Sequence, residues 1–325
     1  MIQYIMITNR FGESLTLYTK IPIANGIENK PTQYTDNPKN SKGFILTKVE
    51  GLGPVNASIN NTELATSDGA IFNSARVGVR NIVLSLLFDL DYDPEELRQL
   101  TYKFFSAKNW LDFTISTKNR LCKTRGYVES NTPDIFSKWE GTQISIVCPD
   151  PYFHATGTGK TVRTEFTNAL FEFPFSNESL NEKLIEFGTI LTNNQIFDIV
   201  YDGDADVGVI IEIEAETGSL SGEITFANVK TNETMTFDTG KISETHPSLG
   251  NGLLEHDIVK IDTRTGSKSA YLTRNGTRYN VLNCVPLDAD WFSLHKGLNQ
   301  FTFNIGSGVA NAKITFQNDI LYEGI

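Results

Sequence analysis

The sequence predicts a mainly β protein with one packed helix: an N-terminal α+β domain followed by a C-terminal β-sandwich. Three observations carry that prediction. Short apolar stretches of strand length, bounded by Gly, Pro, Asn and Asp, recur through most of the 325 residues. Only one stretch, after Asp93, repeats its apolar residues at helical spacing. Near the middle, Pro149-Asp150-Pro151 interrupts the chain, and two prolines in three residues cannot sustain a β ladder because proline has no N–H to donate. The predicted domains are 1–155 and 156–325.

In the first half, Met1 to Thr8 and Leu15 to Tyr18 have strand character. Residues 22–43 are rich in Pro, Asn, Lys and Gly, which is turn chemistry, and the stretch is longer than an ordinary connection. It reads as an arm or binding loop. Phe44 to Glu50 is a strand that ends at Gly51-Leu52-Gly53-Pro54, a sharp backbone break. Asn60 to Arg80 is polar and glycine-bearing and leads into a strand from Arg80 to Asp89. The helix follows. Asp93 is placed to cap it, Pro94 suits its first position, and Glu96 completes a capping box. Leu97, Leu100, Phe104 and Ala107 then mark one apolar face to about Asn109. Strands are expected at Trp110 to Ser116, Leu121 to Ser130 and Gln143 to Cys148.

The second half reads almost entirely as strand. Val209 to Ala215 alternates apolar and polar residues. Glu223 to Val229 and Glu233 to Asp238 form a hairpin, and Asp257 to Thr263 and Ala270 to Arg274 flank another turn. Asn275-Gly276 is a type I′ turn signal before Tyr279 to Leu282. Phe301 to Ile305 and Lys313 to Phe316 complete a sandwich or jelly-roll pattern.

Composition excludes several classes of function. With 39% hydrophobic residues and 21 Phe, the chain can bury cores, so global disorder is excluded. No stretch approaches the roughly 20 apolar residues of a membrane-spanning helix, and the first residues lack the basic region of a signal peptide. Cys122, Cys148 and Cys284 fit neither a disulfide framework nor a zinc pattern, which suits synthesis in a reducing cytoplasm. The net charge of −11 is uneven: residues 1–155 hold 16 basic and 16 acidic side chains, the remainder 12 and 23. A nucleic-acid binder needs the opposite sign to neutralise phosphates. A neutral half and an acidic half suit a first part that packs on copies of itself and a second part kept apart by like charge.

Motifs that would carry chemistry are incomplete. Gly157-Thr158-Gly159-Lys160-Thr161 has the tail of a phosphate-binding loop, but His154 stands where its first glycine belongs. Asp202, Asp204 and Asp206 resemble the start of a calcium loop, but Val207 and Ile213 occupy the positions that need Gly and Glu. His154, His246, His256 and His295 sit in no nucleophile or paired-carboxylate setting. Trp291, Tyr201, Tyr271 and Tyr279 are the aromatics available for stacking on a sugar. No catalytic residue, metal ligand or cofactor site is expected.

Several runs resemble a known family. Gly51-Leu52-Gly53-Pro54-Val55, then Ser67-Asp68-Gly69-Ala70, then Arg76-Val77-Gly78-Val79-Arg80-Asn81-Ile82, resemble the N-terminal domain of phage distal tail proteins (Dit), the siphovirus-type tail component family. Gly126 to Glu129 and the run from Gln143 through Pro149, Asp150 and Pro151 to Phe153 continue the match to the end of that domain. Leu294 to Phe303, with Gly297 and Asn299, resembles the family's closing L-x-x-G-x-N strand, and Tyr322 to Ile325 its usual end. The resemblance implies a structural tail-tip or baseplate hub, not an enzyme. It implies a homo-hexameric ring whose N-terminal domains continue the tail tube and whose C-terminal galectin-like sandwiches point outward and carry the adsorption apparatus. The implied partners are the tail tube protein, a tail-associated tip, fibre or lysin protein, and receptor-binding or baseplate proteins, with no nucleic-acid recognition and no membrane insertion. The implied location is the virion, after synthesis in the host cytoplasm. Residues 22–43 become candidate intersubunit arms. The alternative reading is a carbohydrate-binding adhesion protein acting through the sandwich, although the 170 residues from 156 onward leave little room for an added sugar module.

Overall fold

The computed structural model describes residues 2–18, 41–64, 68–89, 91–134, 140–156, 161–164 and 193–325. The chain forms two compact units, 1–157 together with 321–325, and 158–320. The candidate arm at 22–43 and the glycine-rich stretch 157–160 lie almost wholly or wholly outside the described residues.

The first unit contains β1 (Ile2–Asn9), β2 (Ser14–Tyr18), β3 (Phe44–Glu50), β4 (Ala57–Glu63), β5 (Ala70–Val77), β6 (Arg80–Phe88), α1 (Pro94–Phe104), β7 (Trp110–Thr117), β8 (Leu121–Asp134), β9 (Gly141–Cys148) and β10 (Phe153–Ala155). Its main sheet is antiparallel in the order β2-β1-β7-β8-β9-β6-β3, and β10 pairs with the start of β8. Period-two alternation sends Ile5 and Ile7, Ile82, Leu84 and Leu86, Leu111, Phe113 and Ile115, and Ile144 and Ile146 into one core. Leu97 and Phe104 of α1 join that core. Asp93 caps α1 by accepting from the Glu95 amide at 2.9 Å. The helix ends at Phe104, short of the expected Asn109. Phe105 closes it with a bond to the Thr101 carbonyl, Lys108 turns to φ 68°, and Lys108 and Asn109 exchange backbone bonds with Val128. The β8 ladder thus captures the chain before another helical turn can form.

Among the described residues, β4 and β5 pair only with each other. Every residue of both strands is exposed. The sequence reads 60–80 as a polar approach to β6, and the structure instead makes most of it a two-stranded ribbon. With neither face buried, no apolar alternation announces the strands.

The second unit contains β11 (Thr161–Thr164), β12 (Ile196–Tyr201), β13 (Val207–Gly208), β14 (Ile210–Ala215), β15 (Ser221–Asn228), β16 (Thr234–Asp238), a single helical turn α2 (Ile242–Thr245), β17 (Ile258–Asp262), β18 (Ser269–Arg274), β19 (Thr277–Asn280), β20 (Ser293–Leu294), β21 (Gly297–Ser307) and β22 (Ala312–Gln317). One sheet runs β11-β22-β14-β17-β18-β19 and the other β12-β21-β15-β16. Phe316 of the first meets Phe226 and Phe301 of the second with ring centroids 5.8 and 5.7 Å apart, so the two sheets pack as a sandwich. At the β18–β19 turn Asn275 and Gly276 take φ 52° and 76°, as a type I′ turn requires.

β23 (Leu321–Tyr322) then pairs with β10, Phe153 opposite Tyr322. Residues 321–325 therefore belong with the first unit, whereas the sequence places them in the second domain. The reason is hydrogen bonding of their backbone to the first unit.

Candidate assembly site

Arg80 opens β6 opposite Cys148 and is 1% exposed. Its guanidinium has four backbone carbonyl acceptors. Nε donates to Pro151 at 2.8 Å, Nη1 to Gly51 at 2.5 Å and Gly53 at 2.7 Å, and Nη2 to Glu323 at 2.6 Å. Its flat face lies 4.1 Å from the Phe153 ring centre. Burial lowers the Arg80 pKa, and the nearby Cys148 and Asp150 oppose that shift. The fork of N–H donors is thus used as a knot for several chain segments.

The same place gathers the motif residues from Gly51 to Pro54 and from Pro149 to Pro151. Gly51 takes φ 84°, and a Cβ there would lie 1.8 Å from the Asn81 carbonyl oxygen, so the break after β3 needs glycine. Leu52 is buried and its carbonyl accepts from the Ile325 amide at 3.1 Å. Gly51, Gly53 and Pro54 border a recess of about 170 Å³ with Arg80 and Asn81. Pro149 follows β9 directly, and Asp150 accepts from the Tyr152 amide at 2.9 Å and from His154 Nε2 at 2.8 Å. Burial pushes the Asp150 carboxyl up. The bonds from His154 and Tyr152, with the charges of His154 and Arg80, outweigh it and hold the group below its ordinary value.

The remaining motif residues lie elsewhere. Asp68 and Gly69 are exposed beside the start of β5, and Arg76 is exposed opposite Ser58. Gly297 and Asn299 belong to the second unit. Asn299 is buried and closes a turn, accepting from the His295 amide at 3.0 Å and donating to the His295 and Gly297 carbonyls at 2.7 and 3.1 Å. Gly297 takes φ 97° within that turn.

Of the weaker chemical motifs, the structure brings His295 to the aspartates of 202–206 and leaves His246 apart in a separate contact. Asp204 pairs with Lys296 and Asp206 with His295, each at 3.0 Å. His246 bonds the Asn280 carbonyl. The stretch after Lys160 is β11, a strand, where a phosphate loop requires a helix. Burial raises the thiol pKa of Cys122 and Cys148 to about 11 and of Cys284 to about 12. No helix among the described residues is long and apolar enough to cross a membrane.

Sequence reasoning missed the apolar surface of the β4–β5 ribbon. Ile59 is 60% exposed and Phe72 63%, and Ile71, Val77 and Val79 are exposed too. A two-stranded hairpin is marginal alone in water, and apolar side chains on an unpaired ribbon favour association. Ile59, Ile71-Phe72 and Val77, set among polar residues, are the visible signal.

Residues 202–319 match the siphovirus-type tail component, C-terminal domain. The resemblance to distal tail proteins read from the sequence is borne out by that match and by fold. The crystal structure of Dit (gp 19.1) of phage SPP1, described as a paradigm of the hub adsorption apparatus in phages infecting Gram-positive bacteria, is 11% identical with a TM-score of 0.61, covering 97% of this chain and 99% of that one. Structures of the phage P2 baseplate in its activated conformation, one with Ca and one with Sr, are each 12% identical with a TM-score of 0.44 and cover 98% of both chains. No curated protein matches the chain. The tail-component match takes in β13 to β22 but neither the Arg80 knot nor the ribbon.

Proposed function

We propose that the protein is a structural hub of a phage tail tip or baseplate. It assembles as a homo-hexameric ring that joins the tail tube to the adsorption apparatus, and it performs no catalysis. The observation that carries the hub reading is the match of residues 202–319 to the tail-component domain. The SPP1 protein of the same fold is described as a hub, which supports the same role here. The ring reading is supported by the exposed apolar ribbon, which a second copy of the chain would cover, and by closed cyclic symmetry, which satisfies every such surface at once. The uneven charge fits a neutral first part in the ring and an acidic second part facing outward. In this reading the tail tube protein stacks on one side, tail-associated and receptor-binding or baseplate proteins attach on the other, and the protein resides in the virion.

Light scattering and electron microscopy of the full chain test this directly. The expected result is a six-subunit ring that Phe72→Asp converts to monomers. A monomer at all concentrations, or a ring untouched by that substitution, contradicts the assembly reading. Labelled antibody should decorate the tail tip of the virion, and decoration elsewhere contradicts the hub reading.

A further inference from the structure

Residues 321–325 make a set of contacts out of proportion to their number. Glu323 supplies the fourth carbonyl to buried Arg80. Gly324 supplies a carbonyl to Arg120 Nη1 at 2.9 Å, and the same guanidinium lies 4.0 Å from the Tyr322 ring centre. Ile325 donates to Leu52, and Leu321 and Tyr322 pair with His154 and Phe153. Tyr322 and Ile325 pack against the core of the first unit. Gly324 fits closely: a Cβ there would lie 3.2 Å from both the Leu52 oxygen and Pro54 Cδ.

The chain order gives these contacts a consequence. Everything else in the first unit lies within residues 1–157, and the whole second unit, 158–320, is synthesised before residue 321 appears. Until then one N–H of a buried cation has no acceptor from this segment, and unpaired buried donors are costly. The β10 edge and the Leu52 carbonyl are also unpaired by it. We propose that residues 321–325 are a latch on the first unit, which reaches its stable form only after the second unit has been made. Resting on the ring reading, the latch also delays self-assembly: a nascent first unit with an exposed ribbon stays incomplete until its own second unit exists.

Hydrogen exchange compares the full chain with a chain ended at Ile320. Without the latch, amides of β6, β9 and β10 should exchange about tenfold faster or more, while those of β14 and β21 keep their rates. A synthetic peptide of residues 319–325 added in trans should restore the slow rates. Equal exchange in the two chains overturns the proposal. If the shortened chain does not fold, Tyr322→Ala and Arg120→Ala in the full chain take its place. They should speed exchange of the Phe153 to Ala155 and Ile325 amides about threefold or more, and unchanged rates overturn the latch. Solution mass separates the two readings: a monomeric full chain that still shows the exchange effect removes the ring and leaves the latch.

Discussion

Arg274 and Asp257 form a closed ion pair inside the sandwich, with side chains only 8% and 2% exposed. Arg274 Nε reaches both carboxylate oxygens at 2.9 Å, and its other nitrogens donate to the Leu249 and Gly252 carbonyls at 2.7 and 3.1 Å. Asp257 also accepts from the Leu254 amide at 2.7 Å. The pair therefore fixes the 249–257 loop to β18. Its net worth over an apolar replacement is small, because both ions give up water, but breaking one side strands a buried charge. Asp257→Ala should cost the second unit about 3–5 kcal/mol. Urea unfolding of the full chain, followed by exchange in β17 and β18, measures it. A loss below about 1 kcal/mol shows that water reaches Arg274 and that the pair is replaceable.

Phe104 is buried at the end of α1 and sits 4.9 Å from the Phe105 ring in an edge-on contact. Phe104→Ala removes that contact and leaves a cavity between helix and sheet. The expected loss is about 3–5 kcal/mol, confined to the first unit. Chemical denaturation with exchange in β6 and β7 as the readout tests it, and a loss under about 1 kcal/mol would mean the face is not a core position.

Most of the sandwich and the main sheet were legible because one face of each strand is buried, so Val209 to Ala215 and Arg80 to Phe88 display period two in the sequence. Asn275-Gly276 was legible for a local reason, since its two positive φ values require those residue types. The ribbon was not, because exposure of both faces removes the alternation that marks a strand. β12 is Ile-Phe-Asp-Ile-Val-Tyr, with apolar residues on both faces, and its exposed Ile196 and Val200 obscured its pattern. Arg80 could be singled out from its run with Val79 and Asn81. Its pairing with them could not, because its acceptors are backbone carbonyls from three separate stretches, Gly51 with Gly53, Pro151, and Glu323, and carry no side-chain signature.

Asp150 gives the first unit a pH dependence with a definite sign. Its folded carboxyl titrates below its ordinary value of 3.8, because the ionised form accepts from His154 and Tyr152. A depressed carboxyl contributes stability that is fully present above the unfolded pKa and is lost as pH falls through the folded value. Asp150→Asn should lower the melting temperature of the first unit near neutral pH, and its gap from the unmodified protein should close as pH drops below about 4. Melting curves across that range decide it. A gap that stays constant would mean the charge of Asp150 contributes nothing and only its shape matters.

The four aromatics available for sugar stacking are already engaged. Tyr201 is buried and donates its hydroxyl to the Ala205 carbonyl at 2.8 Å. The Arg278 guanidinium lies 3.6 Å from the Tyr271 ring centre, Lys268 Nζ lies 5.4 Å from that of Trp291, and His246 meets Tyr279 edge-on at 5.3 Å. A sugar face stacking on Tyr271 or Trp291 would have to displace a cation from the ring, giving up a contact worth about 0.5–1 kcal/mol at an exposed site before any gain. These rings also belong to different contacts. The full chain should therefore show no saturable binding to common cell-wall sugars on a glycan array or by calorimetry. Saturable binding that Trp291→Ala or Tyr279→Ala abolishes would make the sandwich an adhesion module. If Arg278→Ala or Lys268→Ala instead created binding in a chain that lacked it, the cations would be the groups that close these rings to sugars.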